Sequence, residues 1–177
     1  MPQYKREPLT ETEAKALEAA CATPRERLII WILLDTGLRL AEFVGLTKDR
    51  LDLQARRLTV YGKGRATRQS ARMTKRRILP LGDRAFEVLA AHFRLANDMG
   101  MKKRAVQANV RRVASRAGLA KRVTPHVLRH TYAVTCLRKE IKLPVLQRLL
   151  GHEDLQTTGM YLNLAPEDVD REFRRKW

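Results

Sequence analysis

Residues 124–152 read TPHVLRHTYAVTCLRKEIKLPVLQRLLGH. Thr124-Pro125 opens the stretch and Leu143-Pro144 recurs within it. Both are helix-start signals, because a proline tolerates the first helical position, where its missing N–H would have no partner anyway. Gly151 then supplies a stop. The stretch therefore predicts two consecutive helices, about 125–139 and 144–150. On the first of them His126 and Arg129 stand at i and i+3, so they share a face.

Working outward from there, helical patterns cover about 83–97, 102–117 and 156–164. Upstream, Thr10 and Glu13 have capping-box spacing and open a helix to about Cys21. Thr23-Pro24-Arg25-Glu26 opens a second helix, which runs to Asp35 through the apolar run Leu28 to Leu34, and Gly37 ends it. A short helix over about 40–45 follows. One β segment is clear, Arg57-Leu58-Thr59-Val60-Tyr61, with Gly62-Lys63-Gly64 as its turn. Ile78-Leu79-Pro80-Leu81 reads as the strand that closes a small antiparallel sheet. The fold class is α+β, mainly α-helical, with that sheet near the N-terminal third. There is no repeat, low-complexity tract or linker, so a single domain over 1–177 is expected.

The chain has 177 residues, with 36 Lys and Arg against 19 Asp and Glu, a net charge of +17. The distribution is uneven. Residues 1–60 hold 10 basic and 9 acidic side chains, 61–140 hold 20 and 4, and 141–177 hold 6 and 6. Excess charge of that size in the middle of the chain disfavours compaction unless a polyanion neutralises it, which points to nucleic acid. Basic membrane binding fits less well, because these charges do not oppose one long apolar stripe. The seven-residue apolar run is too short to span a bilayer. The N-terminus has no apolar signal region, and Cys21 and Cys136 fit no metal or disulfide spacing, as in a reducing compartment. A cytoplasmic protein associated with the nucleoid is expected.

Five short segments could carry chemistry. Thr36-Gly37-Leu38-Arg39-Leu40-Ala41-Glu42 places Arg39 at the start of a helix, where it is either a surface arginine or a group that points into a groove. Lys63 on its glycine turn lacks the spacing of a Walker loop, which leaves an ordinary basic turn or a lysine brought close to a ligand. His126 and His130 at i, i+4 have Val127 where the HExxH zinc pattern needs Glu, so no metal is expected, and an imidazole beside a guanidinium suits an anionic oxygen better. Gly151-His152 ends a helix. Thr157-Thr158-Gly159-Met160-Tyr161 places a tyrosine nine residues after His152. His92 lies mid-helix and reads as structural.

Taken in order, Arg39, Lys63, His126 with Arg129, His152 and Tyr161 resemble the catalytic domain of the tyrosine recombinase (phage integrase) family. The likeness extends over about residues 8–165. It implies that fold, and a site-specific recombinase that cuts DNA through a 3′-phosphotyrosyl intermediate, with no cofactor. In the roles it implies, Tyr161 attacks, Arg39 and Arg129 hold the non-bridging phosphate oxygens, His152 adds a hydrogen bond and Lys63 protonates the leaving 5′-oxygen. His126 either assists proton transfer or holds the phosphate, and Glu42 orients a neighbouring basic side chain. A type IB topoisomerase-like nicking-closing enzyme, or a non-catalytic DNA-binding regulator on the same fold, are the alternatives.

Four departures from the family pattern carry further expectations. The chain starts almost at the catalytic domain, without the family's N-terminal core-binding domain. About nine extra residues between Gly64 and Arg77 predict a longer basic hairpin, with Arg65, Arg68, Arg72, Lys75 and Arg76 as DNA contacts. Lys102, Lys103, Arg104, Arg111, Arg112 and Arg116 on the helix over about 102–117 are expected on the same DNA-facing surface. Asn163 stands where many members have His, and Phe173 and Trp177 in the short tail are candidates for docking on a neighbouring protomer. Double-stranded DNA is the expected partner, with a homo-oligomer, a tetrameric synapse in the family, formed on it from monomers in solution.

Overall fold

The computed structural model describes residues 7–62 and 75–151. The predicted helix over 156–164 lies outside them, as do Asn163, Phe173 and Trp177. Helix α1 (Glu11–Ala19) carries the predicted capping box: Glu13 N–H donates to the Thr10 hydroxyl at 3.2 Å, and Thr10 N–H donates to the Glu13 carboxylate at 2.7 Å. Helix α2 (Pro24–Thr36) starts under Thr23, whose hydroxyl accepts from Glu26 N–H at 3.1 Å. Its residues Leu28, Ile29, Ile30, Ile32, Leu33 and Leu34 are all buried, so apolar side chains point in every direction. Such a helix can only sit at the centre of a core. Helices α4 (Asp83–Leu95), α5 (Lys103–Arg116) and α6 (Pro125–Arg138) all pack on it.

The surrounding helices are one-sided. On α4 the buried set is Ala85, Leu89 and Phe93, and on α5 it includes Val106, Val110 and Val113, the i, i+4 and i, i+3 spacing of a single inward stripe. Short α3 (Leu40–Val44) leads to a single 3-10 turn over Lys48–Arg50 and then to the sheet. Strands β1 (Leu51–Asp52), β2 (Arg57–Gly62) and β3 (Lys75–Pro80) form an antiparallel meander in that order. The two-residue β1 was not predicted, being too short to show alternation. Leu58 faces Leu79 and Val60 faces Arg77 across the inner side, while Thr59–Ile78 and Tyr61–Arg76 line the outer side. Strand β3 therefore begins three residues before the predicted position, and Ile78 is half-exposed while Leu79 is buried.

A second small cluster fixes the last described helix. Leu146 and Leu150 of α7 (Leu143–Leu150) pack with Ala133 and Cys136 of α6, supported by Tyr132, Leu137 and Ile141. Tyr132 also closes against the end of α2, where Gly37 turns in the left-handed region at φ 60°. A Cβ on Gly37 would collide with the Tyr132 ring.

We expect Gly37→Ala to combine two penalties. The left-handed backbone alone costs an alanine about 1–2 kcal/mol, and the displaced Tyr132 ring adds to it. Equilibrium unfolding in urea should show a loss above that range, and a loss below about 1 kcal/mol would contradict the packing.

Candidate active site

Helix α7 ends at Gly151, which adopts the left-handed conformation with φ 64°. The last carbonyls of a helix have no intrahelical donors, and the aligned peptide dipoles leave partial negative charge there. Here three successive carbonyls each accept from a different arginine. Arg77 of β3 donates Nε–H to the Leu149 carbonyl at 3.0 Å. Arg129 of α6 donates from Nη2 to the Leu150 carbonyl at 2.7 Å. Arg39, just before α3, donates from Nη2 to the Gly151 carbonyl at 3.2 Å. Residues far apart in the chain thus meet at one helix end.

Arg129 is buried, with 4% of its surface exposed. Its Nη1 donates to the carbonyl of Gly37, at the C-terminal end of α2. The cation therefore lies between the negative ends of two helices, which supply the counter-charge that burial requires. One turn earlier on α6, His126 is exposed at the start of the helix, which Thr124 caps at 3.3 Å from Val127 N–H. His130 is half-buried; burial holds its pKa below the ordinary histidine value, and the neighbouring His126 charge adds to that effect.

The electrostatic centre of the cluster is Glu42, whose side chain is 4% exposed. Its Oε1 accepts from Arg39 Nη1 at 3.0 Å and from Arg77 Nη1 at 2.7 Å. Its Oε2 accepts from the Arg39 backbone N–H at 2.7 Å and from Arg77 Nη2 at 2.8 Å. Burial alone would raise the carboxyl pKa, but hydrogen bonding and charge from Arg77, then Arg39, outweigh it and hold the pKa at about 2. Two guanidiniums share one carboxylate, which leaves the group net positive. Arg77 is the inner partner, with its side chain 11% exposed, and Arg39 is the outer one at 44%. Gly151 belongs to the same contact: a Cβ there would stand 3.0 Å from Arg77 Nη1.

Of the six residues expected to carry chemistry, Arg39 and Arg129 are brought together at the α7 end, and His126 lies one helical turn from Arg129. Lys63, His152 and Tyr161 lie outside the described residues, as do Arg65, Arg68 and Arg72. Lys75 begins β3, and Arg76 is exposed opposite Tyr61, whose ring stacks under Arg50 at 5.1 Å. Lys102, Lys103, Arg104 and Arg111 are exposed and have no ion-pair partner among the described residues. Arg112 and Arg116 differ. Arg116 donates to both oxygens of buried Glu26, at 2.8 and 3.1 Å, and to the Ala20 carbonyl at 2.7 Å. Arg112 pairs with Glu26 at 3.4 Å and donates to the Asn109 side chain at 2.6 Å. These two fasten α5 to the start of α2. Among the described residues no cluster of three or more His, Cys, Asp or Glu could hold a metal ion, and no helix is long and apolar enough to cross a membrane.

Sequence reasoning missed Arg77, which entered only as the end of the extra hairpin segment. Strand alternation contained the signal: Leu79 is inward, so Arg77, two residues earlier on the same strand, faces inward as well. An arginine at an inward strand position requires a buried acceptor, and Glu42 was the residue expected to orient a basic neighbour.

Comparison with known proteins identifies this architecture. The phage integrase family model matches residues 7–168. Tyrosine recombinase XerC of Xylella fastidiosa (strain M23) is 34% identical over 154 residues, covering 79% of this chain and 49% of the relative. XerC of Azotobacter vinelandii is 35% identical over 163 residues, covering 84% and 51%. The chain thus spans about half the length of the curated relatives it matches. The crystal structure of XerA recombinase superposes with a TM-score of 0.81 at 27% identity, over 99% of this chain and 65% of that one. The fold is that of tyrosine recombinase catalytic domains.

The lowered pKa of Glu42 makes stability depend on pH. An ordinary carboxyl titrates near 4.5 and Glu42 near 2, so its contribution is complete above 4.5 and is lost as pH falls through 2. Removing the charge by Glu42→Gln should lower unfolding free energy at neutral pH, and the gap from wild type should narrow by on the order of 3 kcal/mol across that acidic window. Glu26, held at about 2 by Arg116 hydrogen bonding, keeps its own share of the slope. A gap that stays constant with pH would contradict this arrangement.

Proposed function

The chain belongs to the phage integrase family, and on that premise we propose that it is a site-specific recombinase that cuts and rejoins DNA through a phosphotyrosyl intermediate. The observation that carries this reading is the convergence of Arg39 and Arg129 on adjacent carbonyls, Gly151 and Leu150, immediately before His152. Two always-charged planar donors from separate elements, drawn to consecutive carbonyls, suit the non-bridging oxygens of a phosphodiester.

In the proposed reaction the Tyr161 oxygen forms a bond to phosphorus and the bond from phosphorus to the 5′-oxygen breaks. A phenol with a pKa of about 10 is a poor nucleophile at neutral pH, so the site must stabilise the charge that develops on the phosphorane. Arg39 and Arg129 hold that charge with a further hydrogen bond from His152. The phenolic proton leaves Tyr161, either with the help of His126 or to water with His126 on the phosphate, and Lys63 supplies the proton that the departing 5′-oxygen takes up. The 3′-phosphotyrosyl link conserves the bond, so a second 5′-hydroxyl can reverse the step on another strand.

Double-stranded DNA is the proposed partner. Exposed Arg76, Lys102, Lys103, Arg104 and Arg111 supply phosphate contacts in this reading, with Arg65, Arg68, Arg72 and Lys75 on the hairpin. Arg112 and Arg116 hold Glu26 and contribute less directly. Protomers that are monomeric in solution assemble on DNA as a tetrameric synapse, and the setting is the cytoplasm at the nucleoid.

Supercoiled plasmid DNA incubated in EDTA and trapped with detergent tests the chemistry without knowledge of a target site. We expect the wild type to relax the plasmid and leave a covalent protein–DNA adduct, and Tyr161→Phe to bind but form none. An adduct from Tyr161→Phe would overturn the assignment of the nucleophile. Salt-sensitive binding with no adduct from either protein would favour the DNA-binding regulator.

A further inference from the structure

We propose that Arg77 is a positioning residue for strand cleavage: by holding both carboxylate oxygens of Glu42, it keeps that charge from drawing Arg39 inward and leaves the Arg39 guanidinium available to a DNA phosphate. The proposal rests on the recombinase reading above and deepens it, because Arg77 acts through Arg39 and does not touch the phosphate.

Glu42 is buried and has two cationic claimants. Arg77 meets it fork to fork, Nη1 to Oε1 at 2.7 Å and Nη2 to Oε2 at 2.8 Å, the bidentate geometry in which a guanidinium satisfies a carboxylate best. Arg39 gives it one guanidinium bond at 3.0 Å and turns its Nη2 to the Gly151 carbonyl at 3.2 Å. Exposure divides the two in the same way: Arg77 is enclosed and Arg39 reaches the surface. A buried carboxylate that loses one cation is strongly destabilised and must find compensation from what remains. Without Arg77, the cation left on Glu42 among the described residues is Arg39. A guanidinium drawn fully onto Glu42 would be misplaced for a phosphate and partly neutralised, and attraction between charges in a poorly hydrated site is strong enough to matter.

The third donor of Arg77 strengthens the case for positioning. Its Nε–H on the Leu149 carbonyl ties Glu42 to the same helix end that Arg39 grips two residues later. Gly151 leaves room for the guanidinium, since any side chain there would press on it. Arg77 thus fixes Arg39 from two sides, through the shared carboxylate and through the carbonyl row.

The test uses the full chain, supercoiled plasmid DNA and the detergent-trapped adduct. Arg77→Gln should slow adduct formation about 100-fold, the scale on which small misplacements act, while affinity for a duplex cut from the same plasmid changes less than about threefold. Combining it with Glu42→Gln removes the competing charge and should restore the rate at least tenfold, an effect a merely structural role would not produce. Arg77→Lys, which keeps a cation opposite Glu42, should be faster than Arg77→Gln. Should Arg77→Gln alone fail to melt cooperatively, the neutral double variant decides: folded with adduct supports the proposal, folded without adduct overturns it. A double variant no faster than Arg77→Gln, or an Arg77→Gln as fast as wild type, also overturns it. A wild type that forms no adduct overturns the recombinase reading itself, and the proposal with it.

Discussion

A full positive charge sits on Arg129 where almost no water reaches it, held between the C-terminal ends of α2 and α7. Burying a guanidinium is tolerable only if its donors are answered, and here the carbonyls of Gly37 and Leu150 answer them with the partial charge of two helix ends. That requirement fixes much else. Helix α7 must end at Leu150, so Gly151 turns left-handed. Helix α2 must end near Thr36, so Gly37 does the same and Tyr132 packs over it. The apolar contacts among Ala133, Cys136, Leu146 and Leu150 then keep the α7 end in register with α6.

The recombinase reading proposed above draws on the same arrangement. Arg39 and Arg77 use the neighbouring carbonyls of the α7 end, and Glu42 joins them with four accepted hydrogen bonds. Electrostatic stabilisation of a transition state is strongest when its donors are already oriented, because no reorganisation is then needed as charge develops. In that reading, a helix end braced by three arginines is such a support. Its net charge favours an anion, and the exposed basic side chains of α5 extend that preference over the surface.

Local signals made most of the fold legible. Thr10, Thr23 and Thr124 each cap the helix they were expected to cap, and Gly37 and Gly151 end theirs, because capping and left-handed turns depend on a few adjacent residues. Strand β1 escaped notice because two residues show no period. Strand β3 was placed late because the sequence Lys75-Arg76-Arg77 looks solvated until Arg77 is known to have a buried acid opposite it. The site divided in the same way. Arg39, His126 and Arg129 were singled out because, in order with Lys63, His152 and Tyr161, they resemble the family's motifs, whereas the ties of Arg112 and Arg116 to Glu26 were not visible, because that contact joins segments some 90 residues apart. Arg77 needed both strand register and the position of Glu42, and neither can be read from a short motif.

The most direct test of the account is the unfolding free energy of Arg129→Met, which keeps an unbranched apolar stem and deletes the guanidinium. If Arg129 joins the ends of α2 and α7, urea unfolding should show a loss of at least about 3 kcal/mol, since two buried carbonyls lose their charged donor. A loss below about 1 kcal/mol would mean that the helix ends hold without the cation, and that Arg129 is not the centre of the structure.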